Sequence, residues 1–276
     1  MDFNKNKKIL YNENIVRGYF RLGLSWKTPP ITAGQFLMLR VTGSMDPLLR
    51  RPFCIYRVIS GRKKQGGIEG AGVEVMYRVV GRGTELLSRM RPGEYLDVLG
   101  PLGNGFPKAP MPDKAPVLVA GGIGIASFYM LSERLKKGVL LFGVRGAEDA
   151  AIARDFKKTK KISLDMRFSS EDGGIGEKGL VTGLLEKEIR RDSLVYACGP
   201  VQMLKGVAAI AAQKRVPCFV SLERSMACGI GVCLGCAVKT RPRMKDEGGE
   251  KANRLYKMVC SDGPVFSAYD IDWDLF

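Results

Sequence analysis

Pro107, Pro110, Pro112 and Pro116 separate two stretches whose hydrophobic rhythms cannot belong to one layer of structure. Before them, apolar or alternating runs are short: 9–22, 35–41, 53–59, 73–80 and 95–99. Turn residues close each run, at 25–30, 61–72 and Arg91-Pro92-Gly93. Strands at that spacing predict a small antiparallel barrel. After the prolines, strand and helix patterns alternate. Strands are expected at 117–120, 139–144, 162–168, 194–197 and 217–221, with helices at 126–137, 149–158, 181–190 and 201–214. In the first of these helices Phe128, Leu131 and Leu135 share one face. Such a series is a parallel sheet with helices on both faces. From residue 222 the rhythm stops, and the chain becomes Gly- and Cys-rich, then polar over 241–251. That segment is too small to bury a core alone, so a metal centre is expected to help hold it. The expected fold class is β + α/β: an antiparallel β-barrel over 1–108, a parallel-sheet α/β domain over 109–221, and a small segment over 222–276.

Four of the seven cysteines form a pattern. Cys228, Cys233 and Cys236 are spaced C-x4-C-x2-C, and Cys260 follows after a gap, the spacing of a plant-type [2Fe–2S] site. Gly229, Gly231 and Gly235 let the loop wrap a cluster and aim N–H groups at its sulfurs. Structural zinc is the second reading. It would take four thiolates, but zinc ribbons carry two C-x2-C knuckles, and only Cys233/Cys236 makes one. Disulfides fit poorly with an odd count and with Met1-Asp2-Phe3-Asn4-Lys5, which lacks the apolar core of a secretion signal. Cys54, Cys198 and Cys218 lie outside the pattern.

Two glycine turns suit dinucleotides. Gly121, Gly122 and Gly124 follow a buried strand and open a helix, although Ser127 stands where a full G-x-G-x-x-G would end. Cys198-Gly199-Pro200 ends another strand of the same sheet, at the edge where such sheets bind ligands. Within the barrel, Arg51-Pro52-Phe53-Cys54 could pair an arginine with a pyrophosphate and line a flavin, helped by Tyr77-Arg78 and Gly83-Thr84. On composition alone, those barrel residues read better as ordinary strand and hairpin residues. The chain has no histidine, which removes Ser-His-Asp and Cys-His catalysis, His-ligated zinc and a Rieske centre. The net charge of +16 is scattered, with only Lys157-Lys158 and Lys160-Lys161 as a basic run, so anionic ligands or an acidic partner fit better than nucleic acid. The most apolar run, 115–126, is far shorter than the roughly 20 residues of a spanning helix, so no membrane insertion and a cytoplasmic location are expected.

Together these residues resemble the ferredoxin–NADP reductase superfamily, and most closely the electron-transfer subunits of class B dihydroorotate dehydrogenases. The resemblance covers nearly the whole chain. It implies FAD on the barrel, contacted at Arg51, Pro52, Phe53 and Cys54, at Met76, Tyr77 and Arg78, and at Gly83 and Thr84. It implies NAD(H) on the sheet, at Gly121, Gly122, Gly124, Cys198, Gly199 and Pro200, and a [2Fe–2S] cluster on Cys228, Cys233, Cys236 and Cys260. Gly100–Gly103, the acidic glycine-rich stretch 169–182, Ser221-Leu222-Glu223 with Met226, and 259–266 also match the family's pattern. The family usually has serine where this chain has Cys54, and a thiol is the weaker hydrogen-bond donor. The implied partner is an FMN-containing catalytic subunit that oxidises dihydroorotate in de novo pyrimidine (UMP) biosynthesis, joined in a hetero-oligomer. No catalytic side chain is expected on this chain. Glu171-Asp172 would repel a 2′-phosphate and favour NADH, while Arg145 argues the other way. Two alternatives are a related reductase subunit serving ferredoxin, sulfide or hydrogenase partners, and a zinc-stabilised dinucleotide sensor.

Overall fold

The computed structural model describes residues 6–27, 29–41, 45–64, 67–69, 71–107, 111, 113–135, 137–241 and 255–276. Linker residues 108–110 and 112, and most of the polar stretch 241–251, lie outside these, as do residues 1–5.

The first half closes on itself. Its strands are β1 (Asn6–Val16), β2 (Tyr19–Ser25), β3 (Phe36–Arg40), β4 (Arg51–Ile59), β5 (Arg62–Lys64), β6 (Gly67–Glu69), β7 (Gly72–Arg78) and β8 (Tyr95–Leu102). Six of them form an antiparallel barrel in the order β1-β2-β7-β4-β3-β8, and β5 pairs only with β6. Along β8, every second residue from Leu96 to Leu102 is buried, the period of a strand with one face in a core. The run at 9–22 is a hairpin rather than one strand. Gly18 turns it, with φ +78° in the left-handed region where a side chain is costly. The punctuating stretch at 61–72 likewise holds the β5/β6 ladder.

One helix breaks the all-β expectation. Helix α1 (Arg82–Arg89) follows β7, where Gly83-Thr84 had suggested only a turn. The Thr84 hydroxyl accepts from the N–H groups of Val80 (2.9 Å) and Gly81 (3.2 Å), which anchors the helix start. Leu87 is fully buried and fastens α1 to the barrel core.

The second half is a seven-stranded sheet. Its elements are β9 (Ala115–Gly121), α2 (Tyr129–Ser132), β10 (Val139–Val144), α3 (Arg154–Lys158), β11 (Asp165–Ser170), β12 (Glu177–Lys178), α4 (Val181–Glu188), β13 (Ser193–Cys198), α5 (Val201–Lys214) and β14 (Cys218–Ser221). The C-terminal segment adds β15 (Ala237–Lys239), β16 (Tyr256–Met258) and β17 (Val265–Ser267). The sheet order is β12-β11-β10-β9-β13-β14-β17, parallel throughout except for β17 against β14. The helix expected at 126–137 differs. Residues Gly122–Phe128 wind as tight 3-10 turns and only Tyr129–Ser132 are α-helical. The turn is pressed onto β13, because a Cβ on Gly124 would lie 2.3 Å from the Cys198 carbonyl oxygen. Phe128, Leu131 and Leu135 are nonetheless buried, as their spacing predicts. The strand expected at 162–168 starts at Asp165, and Ile162 and Leu164 pack against the core outside the ladder.

Barrel and sheet share one core. Phe106 from the end of the barrel packs on Phe128 (5.4 Å) and edge-on to Tyr196 of β13 (5.6 Å). Charges join the same halves. Arg21 and Arg57 reach Asp155 of α3 at 2.6 and 3.7 Å, and Arg57 also pairs with Glu74 at 3.0 Å. Glu74 is fully buried and accepts from the Tyr11 hydroxyl; burial raises its carboxyl above the ordinary range. The C-terminal segment draws on both neighbours for its interior. Cys236, Val238, Val259, Cys260 and Ile271 join a core with Val195 and Val220 of the sheet and with Phe36 and Met38 of the barrel. No helix among the described residues is long and apolar enough to cross a membrane.

Candidate redox site

A cleft of about 540 Å³ opens between the barrel and the carboxyl edge of the sheet, within the size of typical cofactor pockets. Arg51, Pro52, Phe53 and Cys54 of β4, Met76, Tyr77 and Arg78 of β7, and Thr84 of α1 all line it. Gly83 is adjacent, and its lack of a side chain matters: a Cβ there would lie 2.5 Å from Arg51 Nε. The glycine lets the guanidinium cross the start of α1. Cation and helix N-terminus then face the same space, as a pyrophosphate requires. The Tyr77 ring is held from inside the barrel, stacked on Phe20 at 5.5 Å, with its hydroxyl donating to Asn12 at 3.0 Å. These groups fit FAD.

Gly124 and Cys198 line this same cleft. Gly121, Gly122, Gly199 and Pro200 instead line a neighbouring cleft of about 670 Å³ with Arg145, Glu171 and Thr182. Gly121 and Gly199 nearly touch, since a Cβ on Gly199 would lie 3.0 Å from the Gly121 Cα. The Met203 thioether packs over both, 2.6 Å from where a Cβ on Gly121 would lie and 2.7 Å from one on Gly199, whereas a Cβ on Gly122 would meet nothing within 4 Å. Of the acidic pair, Glu171 faces the cleft, while Asp172 accepts from the Gly174 N–H (2.7 Å) and serves its own loop. Arg78, Ile123 and Glu223 belong to both clefts. That shared wall is where two rings bound in the two clefts would meet.

Sequence reasoning did not mark Ser127, Ser221 or Glu223 as site residues, yet all three line the first cleft. The signal for the last two was their place at the carboxyl end of β14, the ligand edge of such sheets. Burial raises the Glu223 carboxyl above its ordinary range although it opens onto the cleft. Burial also pushes the Cys54 thiol up to about 11, and its Sγ lies 3.7 Å from the carbonyl oxygens of Gln35 and Ile55, to which it donates.

The four patterned cysteines stand as two pairs. Cys236 Sγ lies 3.3 Å from Cys260 Sγ, and Cys233 reaches the sulfur of Cys228 through its backbone N–H. Backbone N–H groups point at three of the sulfurs. Gly231 donates to Cys260 (3.1 Å), Ile230 and Cys233 to Cys228 (3.4 Å each), and Cys260 to Cys236 (3.4 Å). Burial raises the Cys228 thiol, but the N–H groups of Cys233 and Ile230 outweigh it and bring the pKa down to about 6. Among the described residues no three His, Cys, Asp or Glu side chains converge on one ion. Single zinc needs four thiolates around one point, whereas a two-iron cluster takes two per iron. The paired arrangement and its N–H dipoles fit a [2Fe–2S] cluster. The loop is also close to the first cleft. Leu222–Met226 and Pro264 wall that cleft, and Cys228 follows Met226 by two residues, at most about 7 Å of extended chain.

A closed barrel, a glycine-floored parallel sheet meeting it at one cleft, and a four-thiolate loop alongside define an oxidoreductase of the ferredoxin reductase type. Residues 223–272 match the family model for the iron–sulfur cluster binding domain of dihydroorotate dehydrogenase B. The electron transfer subunit of dihydroorotate dehydrogenase B (NAD(+)) from Caldanaerobacter subterraneus subsp. tengcongensis is 34% identical over 98% of this chain and 99% of its own. That of Bacillus pumilus is 38% identical over 87% and 86%. The chain belongs to the family of these electron transfer subunits. Among solved structures, an NADH-dependent reduced ferredoxin-NADP oxidoreductase, studied for flavin-based electron bifurcation, superposes with TM-score 0.75 and 26% identity over 97% of this chain and 90% of that one. A ferredoxin NADP+ reductase from Neisseria gonorrhoeae with bound FAD and NADP shares the fold at TM-score 0.63 and 16% identity, over 78% and 92%.

Proposed function

We propose that this chain passes electrons between NAD(H) and a catalytic partner subunit, which holds FMN and converts dihydroorotate to orotate for pyrimidine synthesis. The two subunits form a hetero-oligomer. Residues 1–108 bind FAD, 109–221 bind NAD(H) and 222–276 hold the [2Fe–2S] cluster, with β17 returning to the edge of the sheet. The observation that carries this reading is the adjacency of the two clefts and the thiolate loop around Arg78, Glu223 and Met226.

When bound, FAD exchanges electrons in pairs with the nicotinamide and singly with the [2Fe–2S] cluster. The chain's own residues do the positioning. Arg51 and the start of α1 hold the pyrophosphate. Gly122, beside which the cleft is open, leaves room for the nicotinamide to approach the flavin to the distance hydride transfer needs, about 3–3.5 Å. Cys228, Cys233, Cys236 and Cys260 supply the thiolates. Ile230, Val232 and Leu234, all exposed, ring the exposed Cys233 and form an apolar face for the partner. No residue here acts as a base on dihydroorotate.

The test is spectroscopic. Protein purified without oxygen shows flavin and iron–sulfur absorption that NADH bleaches. Dihydroorotate bleaches it only once the partner subunit is added. A cofactor-loaded pair that ignores dihydroorotate would assign the chain to another reductase system, and colourless protein with stoichiometric zinc would defeat the reading altogether.

A further inference from the structure

Three arginines line the first cleft, and two of them already have a place in the account: Arg51 crosses the start of α1, and Arg78 stands on the wall shared with the second cleft. Arg224 lines the first cleft alone. Its position follows from strand register. Phe36 of β3 lies opposite Cys54 of β4, and it packs in one core with Leu222 and Met226. Ser221 of β14 lies opposite Cys198 of β13. Along β4, Cys54 is about 10 Å from Arg51. The wall from Ser221 to Met226 therefore closes the end of the cleft away from Arg51 and α1. With the pyrophosphate at Arg51, that is the end that takes the flavin ring. Cys228 follows Arg224 by four residues, at most about 14 Å of extended chain. The Arg224 side chain is held by a ring. No ion pair joins it to a carboxylate among the described residues. Its guanidinium lies over Phe276, 4.1 Å from the ring centroid. Phe276 rests on Trp273 at 5.7 Å, and the Trp273 indole N–H donates to the Ala268 carbonyl at 2.8 Å. An aromatic face holds a cation without neutralising it. The Arg224 Nε is buried and has no hydrogen-bond partner among the described residues. A buried donor left unmet beside a cofactor cleft calls for an acceptor that the chain itself does not supply.

We propose that Arg224, positioned by Phe276, is the cation that stabilises the negative charge of the reduced flavin, and that it thereby sets how readily this chain accepts hydride from NADH. NADH gives up one hydride, a proton with two electrons, and leaves as NAD+. The flavin ring gains that hydride and with it one negative charge. When both electrons have passed singly to the cluster, the ring is neutral again and the proton has been released. A fixed cation favours the charged form over the neutral one and moves the equilibrium toward reduced flavin. Glu223 is the one carboxylate that lines the same cleft, and burial raises its carboxyl, which holds back the charge that would oppose Arg224. The place of Arg224, between the ring end of the cleft and the first cluster cysteine, puts this control on the side from which the electrons leave.

The inference rests on the FAD reading above. Its test is a spectroelectrochemical titration of the FAD- and cluster-loaded chain alone. Wild type that takes up no FAD sinks that reading; only loaded wild type tests Arg224. Arg224→Met keeps an apolar stem and removes the charge. It lowers the equilibrium constant for flavin reduction by about tenfold or more, a potential about 30 mV more negative for a two-electron couple. The fraction of flavin reduced at a fixed NADH/NAD+ ratio falls with it. FAD content and the oxidised flavin and iron–sulfur spectra match wild type. Arg224→Lys keeps the charge and most of the potential. Phe276→Leu keeps the packing on Trp273 but frees the guanidinium, and it gives a smaller shift in the same direction. An unchanged or raised flavin potential in Arg224→Met overturns the proposal. So does a lysine variant that behaves like methionine, which would assign the effect to packing. Loss of FAD from Arg224→Met would make Arg224 a binding group, and a wild-type potential in Phe276→Leu would remove the positioning role; either result also overturns it.

Discussion

At Gly83 a single hydrogen atom decides whether Arg51 can reach the start of α1. Glycine to alanine inside a helix is ordinarily stabilising by about 1 kcal/mol. Here the added carbon would sit 2.5 Å from Arg51 Nε. The expectation is a helix as stable or more so in FAD-free protein, and FAD affinity weakened about tenfold or more as a charge-assisted hydrogen bond is lost. Thermal melts without FAD and flavin titration separate the two effects; unchanged FAD affinity would remove Arg51 from the binding site. Cys54 gives a second expectation. With its pKa pushed up to about 11, chiefly by burial, it is a neutral thiol at pH 8. Its alkylation in FAD-free protein should therefore be slow there and climb about tenfold per pH unit up to pH 10, since the thiolate is the nucleophile. Peptide mapping by mass spectrometry reads this out, and rapid labelling at pH 7 would contradict it. The sequence points to Arg51, Gly83 and Cys54 through local motifs. It does not reveal Ser127 or Glu223, because their importance comes from β4, the 3-10 turn and β14 meeting in space.

Elements were legible where one periodicity governs them. Helix α5 and strand β10 have the expected bounds, since α5 buries one apolar face against the sheet and β10 is an apolar run between two parallel neighbours. The misread elements are those that tertiary contacts reshape. Helix α1 is only eight residues long and lies in a stretch dominated by strands. The chain after β9 winds tightly because Gly124 abuts β13. The cysteine loop sits between these cases: its spacing singled out the four cysteines, but the division into buried Cys236 and Cys260 and more open Cys228 and Cys233 needed coordinates. That division shapes a prediction. Cys233 is exposed, so Cys233→Ala removes a cluster ligand without opening a cavity in the core. Iron content and iron–sulfur absorption should fall to background, while FAD and NADH-driven dye reduction persist. Because Met226 and Pro264 wall the flavin cleft, FAD should dissociate faster than from wild type. Simultaneous loss of dye reduction would mean that electrons cannot leave the flavin except through the cluster.

At the scale of the whole molecule, the order of barrel, sheet and thiolate segment follows from the sequence, but their docking does not. The Arg21–Asp155 and Arg57–Asp155 pairs join residues more than 90 positions apart, and nothing local marks them. The same holds for the apolar face around the cluster. Val232 is 75% exposed and Leu234 63%, in a chain whose other apolar side chains are mostly buried. Leu234 also takes φ +58°, a left-handed conformation uncommon for a leucine, next to Cys233. A loop arranged to expose apolar groups around a redox centre suits a partner that excludes water along the electron path. Placing a carboxylate there, as Val232→Asp, leaves the thiolates in place and puts an unpaired charge in the contact, which costs several kcal/mol when buried. Flavin content, iron–sulfur absorption and NADH-driven dye reduction should match wild type. Bleaching by dihydroorotate through the partner should slow by about a hundredfold or more, and sedimentation should show a weakened complex. Full coupling in this variant would place the partner on another face of the molecule, and the cluster loop would then have to pass its electrons through the protein rather than across its own rim.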